Sequence, residues 1–235
     1  MQNKFTVTLA VGATMTLLLA SPLLWADDGN ISKVNGAIRV ESGRTVGSVE
    51  TVNGSIRLED SVRAEDIETV SGSIDIGHDS AVSDIDTVNG SVTLDRNTKA
   101  DSVETVNGRV HLDEQSEVRG DVTNVNGGIT LAKGARIGGH IENVNGKIEL
   151  DGATVGGGIK TTNSDIEIGA GSRVDGGIHV EKPDLGFFSK KHTPRVTIGP
   201  NAVVNGTLKF DREVELHIAD SATVGNIVGA TPVRD

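Results

Sequence analysis

The chain has 235 residues and a net charge of −11, with no cysteine, no tyrosine and its single tryptophan at position 25. The acidic balance argues against nucleic-acid binding, which needs Lys and Arg to neutralise phosphates, and without cysteine the fold must be held by packing rather than by disulfides. Aromatics at 2% beside 30 glycines describe a turn-rich β structure with a narrow aliphatic core and almost no stacking platform for a sugar or ring ligand.

Residues 1–26 read as a secretory signal peptide. Lys4 supplies the positive n-region, Val7 to Ala20 is apolar or small, and Leu24-Trp25-Ala26 before Asp27-Asp28 offers a small-residue cleavage site. No cysteine stands there to carry a lipid anchor. No later segment is apolar over the roughly 20 residues that a membrane-spanning helix requires. The expectation is a periplasmic or secreted protein whose residues 27–235 form a single solenoid domain.

From Val34 onward one heptad recurs: Val34-Asn35-Gly36-Ala37-Ile38-Arg39-Val40, then Val52-Asn53-Gly54-Ser55-Ile56-Arg57-Leu58, and so on to Val144-Asn145-Gly146-Lys147-Ile148-Glu149-Leu150. Its glycines fall at 36, 54, 72, 90 and 108, a step of 18, then at 127 and 146, a step of 19, with Ser164 in the next place. A fixed period of this length means a solenoid, in which a coil cannot bury its apolar side until its neighbours stack on it. Counting from the heptad valine, aliphatic residues recur at offsets 4, 6, 12 and 15 or 16, as in Ile38, Val40, Val46 and Val49, or Ile129, Leu131, Ile137 and Ile141. Polar residues between them give the alternation of strands with one wet face. Asn-Gly after a strand residue supplies a turn, with glycine free to take positive φ.

The grid continues through Ile166, Ile168, Val174, Ile178 and Val180, then Val196, Ile198, Val204, Leu208 and Phe210, and last Leu216, Ile218, Val224 and Ile227. The chain therefore reads as an all-β, single-stranded, three-sided β-helix of about ten coils of 18–19 residues. A strict step of six through Val34, Val40, Val46, Val52, Leu58, Ala64 and Val70 also occurs in the first coils, as in the hexapeptide rule of left-handed β-helices. The 19-residue coils and the aliphatic at offset 4 fit that rule poorly, which favours the right-handed form.

The run Val49-Glu50-Thr51-Val52-Asn53-Gly54-Ser55-Ile56 and its echoes resemble the repeat of an adhesin-type family of bacterial β-solenoids, over residues 34–168. Later coils, such as Ile168-Gly169-Ala170-Gly171-Ser172-Arg173-Val174 and Ile198-Gly199-Pro200-Asn201-Ala202-Val203-Val204, are similar to bactofilins, the polymer-forming bacterial cytoskeletal proteins. Both resemblances imply a right-handed β-helix, and neither implies catalysis or a cofactor. Bactofilins generally act on the cytoplasmic side, whereas the N-terminal signal points outward, and the signal is followed here.

Among candidate sites, Asn35, Asn53, Asn89, Asn107, Asn126, Asn145 and Asn163 are expected to stack as an amide ladder broken by Ser71. Acidic residues recur before the heptads (Glu50, Glu68, Asp86, Glu104, Glu142) and after them (Glu41, Glu59, Asp95, Asp113, Asp151). Such columns suit Ca²⁺, which prefers oxygen ligands. Arg57, Arg96, Arg109 and Lys147 also interrupt the acidic pattern, and a solvated face is the simpler reading. The six histidines lack the i, i+2 or i, i+4 spacing of a zinc site, so no metal or catalytic residue is assigned. Paired carboxylates leave a polysaccharide-processing enzyme as a rival, though sugar platforms are missing. The segment 181–195 breaks the period and concentrates Leu185, Phe187, Phe188, Lys190 and Lys191. A loop on a rigid scaffold is a natural partner-binding site, and the alternative is that the Phe pair folds back onto the rod. Little sequence precedes or follows the end coils, so head-to-tail pairing with another copy is expected. The functional expectation is a non-enzymatic structural or adhesive solenoid of the bacterial envelope, with itself or an envelope component as partner.

Overall fold

The computed structural model describes residues 29–183 and 192–234. The signal peptide read at 1–26 and the loop residues Leu185, Phe187, Phe188, Lys190 and Lys191 lie outside them. Every named strand pairs in parallel with its equivalent one coil away, as in Val103↔Val122 and Ile166↔Val196. The first sheet has 11 strands from Ile31–Asn35 to Ile227–Val228, the second 11 from Ile38–Val40 to Val233–Arg234, and the third 7 from Lys99–Ala100 to Thr223–Val224. Isolated bridges Thr45↔Arg63, Arg63↔Ala81 and Ala81↔Lys99 carry the third face back toward the N-terminal coils. The result is a three-sided all-β solenoid. It has one strand more on each long face than the ten-coil count because Ile31–Asn35 opens the first sheet before the counted coils and Val233–Arg234 closes the second after them.

The interior is built by alternation. In Ile56–Leu58 the outer residues are buried and Arg57 between them is exposed, and Val49–Asn53 buries Val49 and Thr51 while Glu50 and Val52 face outward. Offsets 4, 6, 12 and 15 or 16 all point inward, as Ile74, Ile76, Val82 and Ile85 show. Each fully buried aliphatic side chain contributes about 1.5–3 kcal/mol by leaving water. The step-of-six series is not the packing rule. Val52, Val70, Val88 and Val106 lie on the outer side of their strands and Val34 is 48% exposed, while Thr51, Thr69, Thr87 and Thr105 are buried. The phase of each strand is set by Val49, Ile67, Ile85 or Val103, which leaves the threonine two residues on pointing inward.

Two corners explain the turn residues. At the Asn-Gly corner the glycines stack carbonyl over Cα, and a Cβ on Gly54, Gly90, Gly108 or Gly127 would overlap the carbonyl of the glycine one coil before. Close approach of coils therefore demands glycine here, beyond the positive φ of Gly36 (105°). The corner between the second and third faces holds a left-handed residue in coil after coil: Ser61, Asp79, Asn97, Gln115 and Asn201 at φ near 60°, and Gly43, Gly134, Gly152 and Gly171 in the same role. The step from 18 to 19 residues comes from the third corner. Two residues connect Ala100 to Val103, whereas three, including Gly120, connect Val118 to Val122.

Candidate functional surface

Three columns run along the first face and its corner, two outside and one buried. The amide column is a continuous hydrogen-bonded ladder over most of its length. Asn53 Nδ2 donates to Asn35 Oδ1 at 3.2 Å, Asn107 to Asn89 at 3.0 Å, Asn126 to Asn107 at 3.0 Å, Asn145 to Asn126 at 3.0 Å, and Asn163 to Asn145 at 3.1 Å. Ser71 stands between Asn53 and Asn89. At the far end Arg212 closes the ladder, its Nη1 donating to Asn163 Oδ1 and, at 2.8 Å, to the Thr162 carbonyl. Burial lowers the Arg212 pKa.

Beneath this ladder lies a second, buried one. Thr69 Oγ1 donates to the Gly54 carbonyl at 3.1 Å and Thr105 Oγ1 to Gly90 at 3.2 Å. In the 19-residue coils asparagine takes the place of threonine, with Asn124 Nδ2 reaching Gly108 at 2.9 Å and Asn143 Nδ2 reaching Gly127 at 3.1 Å. The longer amide keeps the bond, but Asn124 Oδ1 and Asn143 Oδ1 are left buried without a partner.

The third column carries charge. Glu50, Glu68, Asp86 and Glu104 stack in direct register, followed by Thr123, Glu142, Lys160, His179 and Lys209. Burial first, then the charges of Glu104 and Glu68, push Asp86 up to about 7. Glu68 is raised by burial and by Glu50, and Glu104 by burial and by Asp84. Asp66, Asp84 and Asp121 form a parallel column two residues away on the same face. Away from this column, Arg39 and Arg57 meet Glu59 at 3.0 and 3.1 Å, and Lys147 meets Glu149 at 3.1 Å and Glu167 at 2.7 Å, all on the second face. The acidic column after the heptads is thus partly neutralised. The column before them is not relieved by Arg57 or Lys147, which lie around the corner.

In the C-terminal coils the outer charges pair closely. His179 Nε2 lies 2.7 Å from Asp211 Oδ2, Lys209 Nζ donates to the same oxygen at 3.1 Å, and Lys160 lies 3.5 Å from Glu181. The hydrogen bond from His179, then that from Lys209, hold the Asp211 carboxyl below its usual range. At the C-terminal end of the 181–195 segment, His192 contacts Asp165 at 3.1 Å and Arg195 contacts Glu215 at 2.9 Å. A polar notch of about 320 Å³ opens at the left-handed corner between Asp60, His78, Asp79 and Arg96, where His78 Nδ1 has no partner. Among the described residues no group of three His, Cys, Asp or Glu is arranged to hold a metal ion, and no helix is long and apolar enough to cross a membrane. Among the described residues the large aliphatic side chains left exposed are Val34 in the first coil and Val228 and Val233 in the last.

The described residues define a β-solenoid whose outer decorations are ladders running along the stack. Comparison with protein-family models, with curated proteins and with solved structures finds no match. The buried Thr and Asn ladder is the feature that reading by composition and period misses. Strict alternation from Val49, Ile67, Ile85 and Val103 was the available signal.

Proposed function

We propose that this chain is a non-enzymatic structural or adhesive element of the bacterial envelope, exported by its N-terminal signal to the periplasm or beyond and assembled by stacking rods head to tail. The observation that carries the reading is the place of the exposed large aliphatics. Val34 lies at one end of the stack, and Val228 and Val233 lie at the other. Among the described residues the flanking strands Ile31–Asn35 and Ile227–Val228 each pair on one side only. An uncovered edge with aliphatic side chains is a template for another strand. Register supports the same reading, because Ile227 ends the inward column that Ile31 begins, so a second copy would continue it. Charge −11 disfavours nucleic acid as a partner, leaving another copy or an envelope component.

The test uses two end variants, Val34→Lys and Val228→Lys. The unaltered protein should grow with concentration in light scattering, each variant alone should stop growing, and an equal mixture should yield dimers through the two intact ends. Assembly that neither variant affects, or a protein that stays monomeric at high concentration, would overturn the proposal.

A further inference from the structure

We infer that the first face is a self-complementary interface on which a second copy of this chain lies side by side and antiparallel, with the two-fold axis between the sixth and seventh coils. Coils are numbered by their first-sheet strand, from Ile31–Asn35 as the first to Ile227–Val228 as the eleventh. A two-fold axis running along the strand direction turns one rod end for end while keeping each column opposite itself. A face that is acidic at one end and basic at the other then meets its own complement, as an isologous contact requires.

The columns meet these terms most fully in one register; with the axis between coils seven and eight no like charges oppose either, but only Glu104 with Lys209 and Glu142 with Lys160 pair across the contact. With the axis between coils six and seven, Glu68 faces the second copy's Lys209, Asp86 faces His179, Glu104 faces Lys160, and Thr123 faces Glu142. In the neighbouring column Asp121 faces His140, and in the outer apolar column Val125 faces Val144 at the centre. No like charges oppose in these columns. Moving the axis onto coil six sets Glu104 against Glu142 and Asp121 against itself, and moving it onto coil seven sets Glu142 against itself. Like-charge contact of this kind is what excludes wrong registers at an interface.

The three carboxyls that would gain a basic partner, Glu68, Asp86 and Glu104, are the ones held above their usual range in the single chain by burial and by neighbouring carboxylates. His179 and Lys209 already share Asp211, and Lys160 meets Glu181. The second copy therefore adds carboxylates to basic side chains that are ordered beforehand. Ten overlapping coils at about 4.8 Å and four residues of strand at about 3.3 Å cover roughly 600 Å² per copy. Both sides together come to about 1,200 Å², the lower edge of specific interfaces.

The inference is independent of head-to-tail growth, because side-by-side pairing doubles the width of the particle and end pairing its length. Sedimentation velocity with small-angle scattering on the purified protein, at low and high salt, should show a salt-sensitive dimer of single rod length. Glu68→Lys or Lys209→Glu alone should raise the dimer Kd about tenfold or more, since each change appears twice in the interface. The double variant should restore it to within about threefold. Circular dichroism of each variant confirms that these outward-facing positions leave the fold intact. A monomer at low salt, a dimer of doubled length only, or a double variant no tighter than the singles would each overturn the inference.

Discussion

Replacing Asp86 by Asn should stabilise the protein at neutral pH and leave it unchanged in acid. Asp86 sits in register between Glu68 and Glu104 on a β face, and burial with those two charges pushes its pKa from 3.8 to about 7. A raised carboxyl pKa means that the native state binds the proton more tightly than the unfolded chain does. Its contribution is fully present below the unfolded pKa and is lost as pH rises through the folded one. A difference of about three pKa units corresponds to about 4 kcal/mol at 1.36 kcal/mol per unit. Asp86 keeps contact with solvent, and screening discounts that to about 1–2 kcal/mol. Urea unfolding of dilute protein, followed by circular dichroism, should give Asp86→Asn a higher midpoint by this amount at about pH 8 and no advantage at about pH 3.5. A variant that is less stable at pH 8, or equally shifted at every pH, would refute the account of the carboxylate ladder.

Three further outcomes follow from the coil geometry. Gly108→Ala places a Cβ against the Gly90 carbonyl and should cost about 2–3 kcal/mol, read as a lowered unfolding midpoint. Ser71→Asn completes the amide ladder between Asn53 and Asn89 and should add about 0.5–1.5 kcal/mol, with slower amide exchange in those coils as the second readout. Gln115→Gly removes a side chain from a left-handed backbone at φ 61° and should raise stability by about 0.5–1 kcal/mol, since the Gln115 N–H bond to the Lys133 carbonyl is made by the backbone and is retained.

Much of the fold was legible because the same physical choice is repeated in coil after coil. Ile56-Arg57-Leu58 and Ile148-Glu149-Leu150 differ in every polar detail, yet both bury the first and last residue. What repetition alone did not reveal was phase at the end of the first-face strand. Thr51 and Val52 both suit a strand, and the valine belongs to an aliphatic series of step six, yet Val49 fixes the alternation so that threonine enters the core and valine leaves it. The glycine at each Asn-Gly corner was legible as a turn, while its closer constraint, a carbonyl of the preceding coil against its Cα, exists only once coils stack. The acidic column was visible as spacing. Its continuation into Lys160, His179 and Lys209 depends on the added residue at the third corner, which shifts the numbering but not the register.

The central claim, a rod that extends by adding copies at its ends, is tested most directly by the length distribution of particles of the purified protein in negative-stain images. Eleven stacked strands at about 4.8 Å make one rod on the order of 50 Å. Particles whose lengths fall at successive multiples of that value, growing with concentration, are the predicted result. Particles that remain at one rod length at every concentration would contradict it.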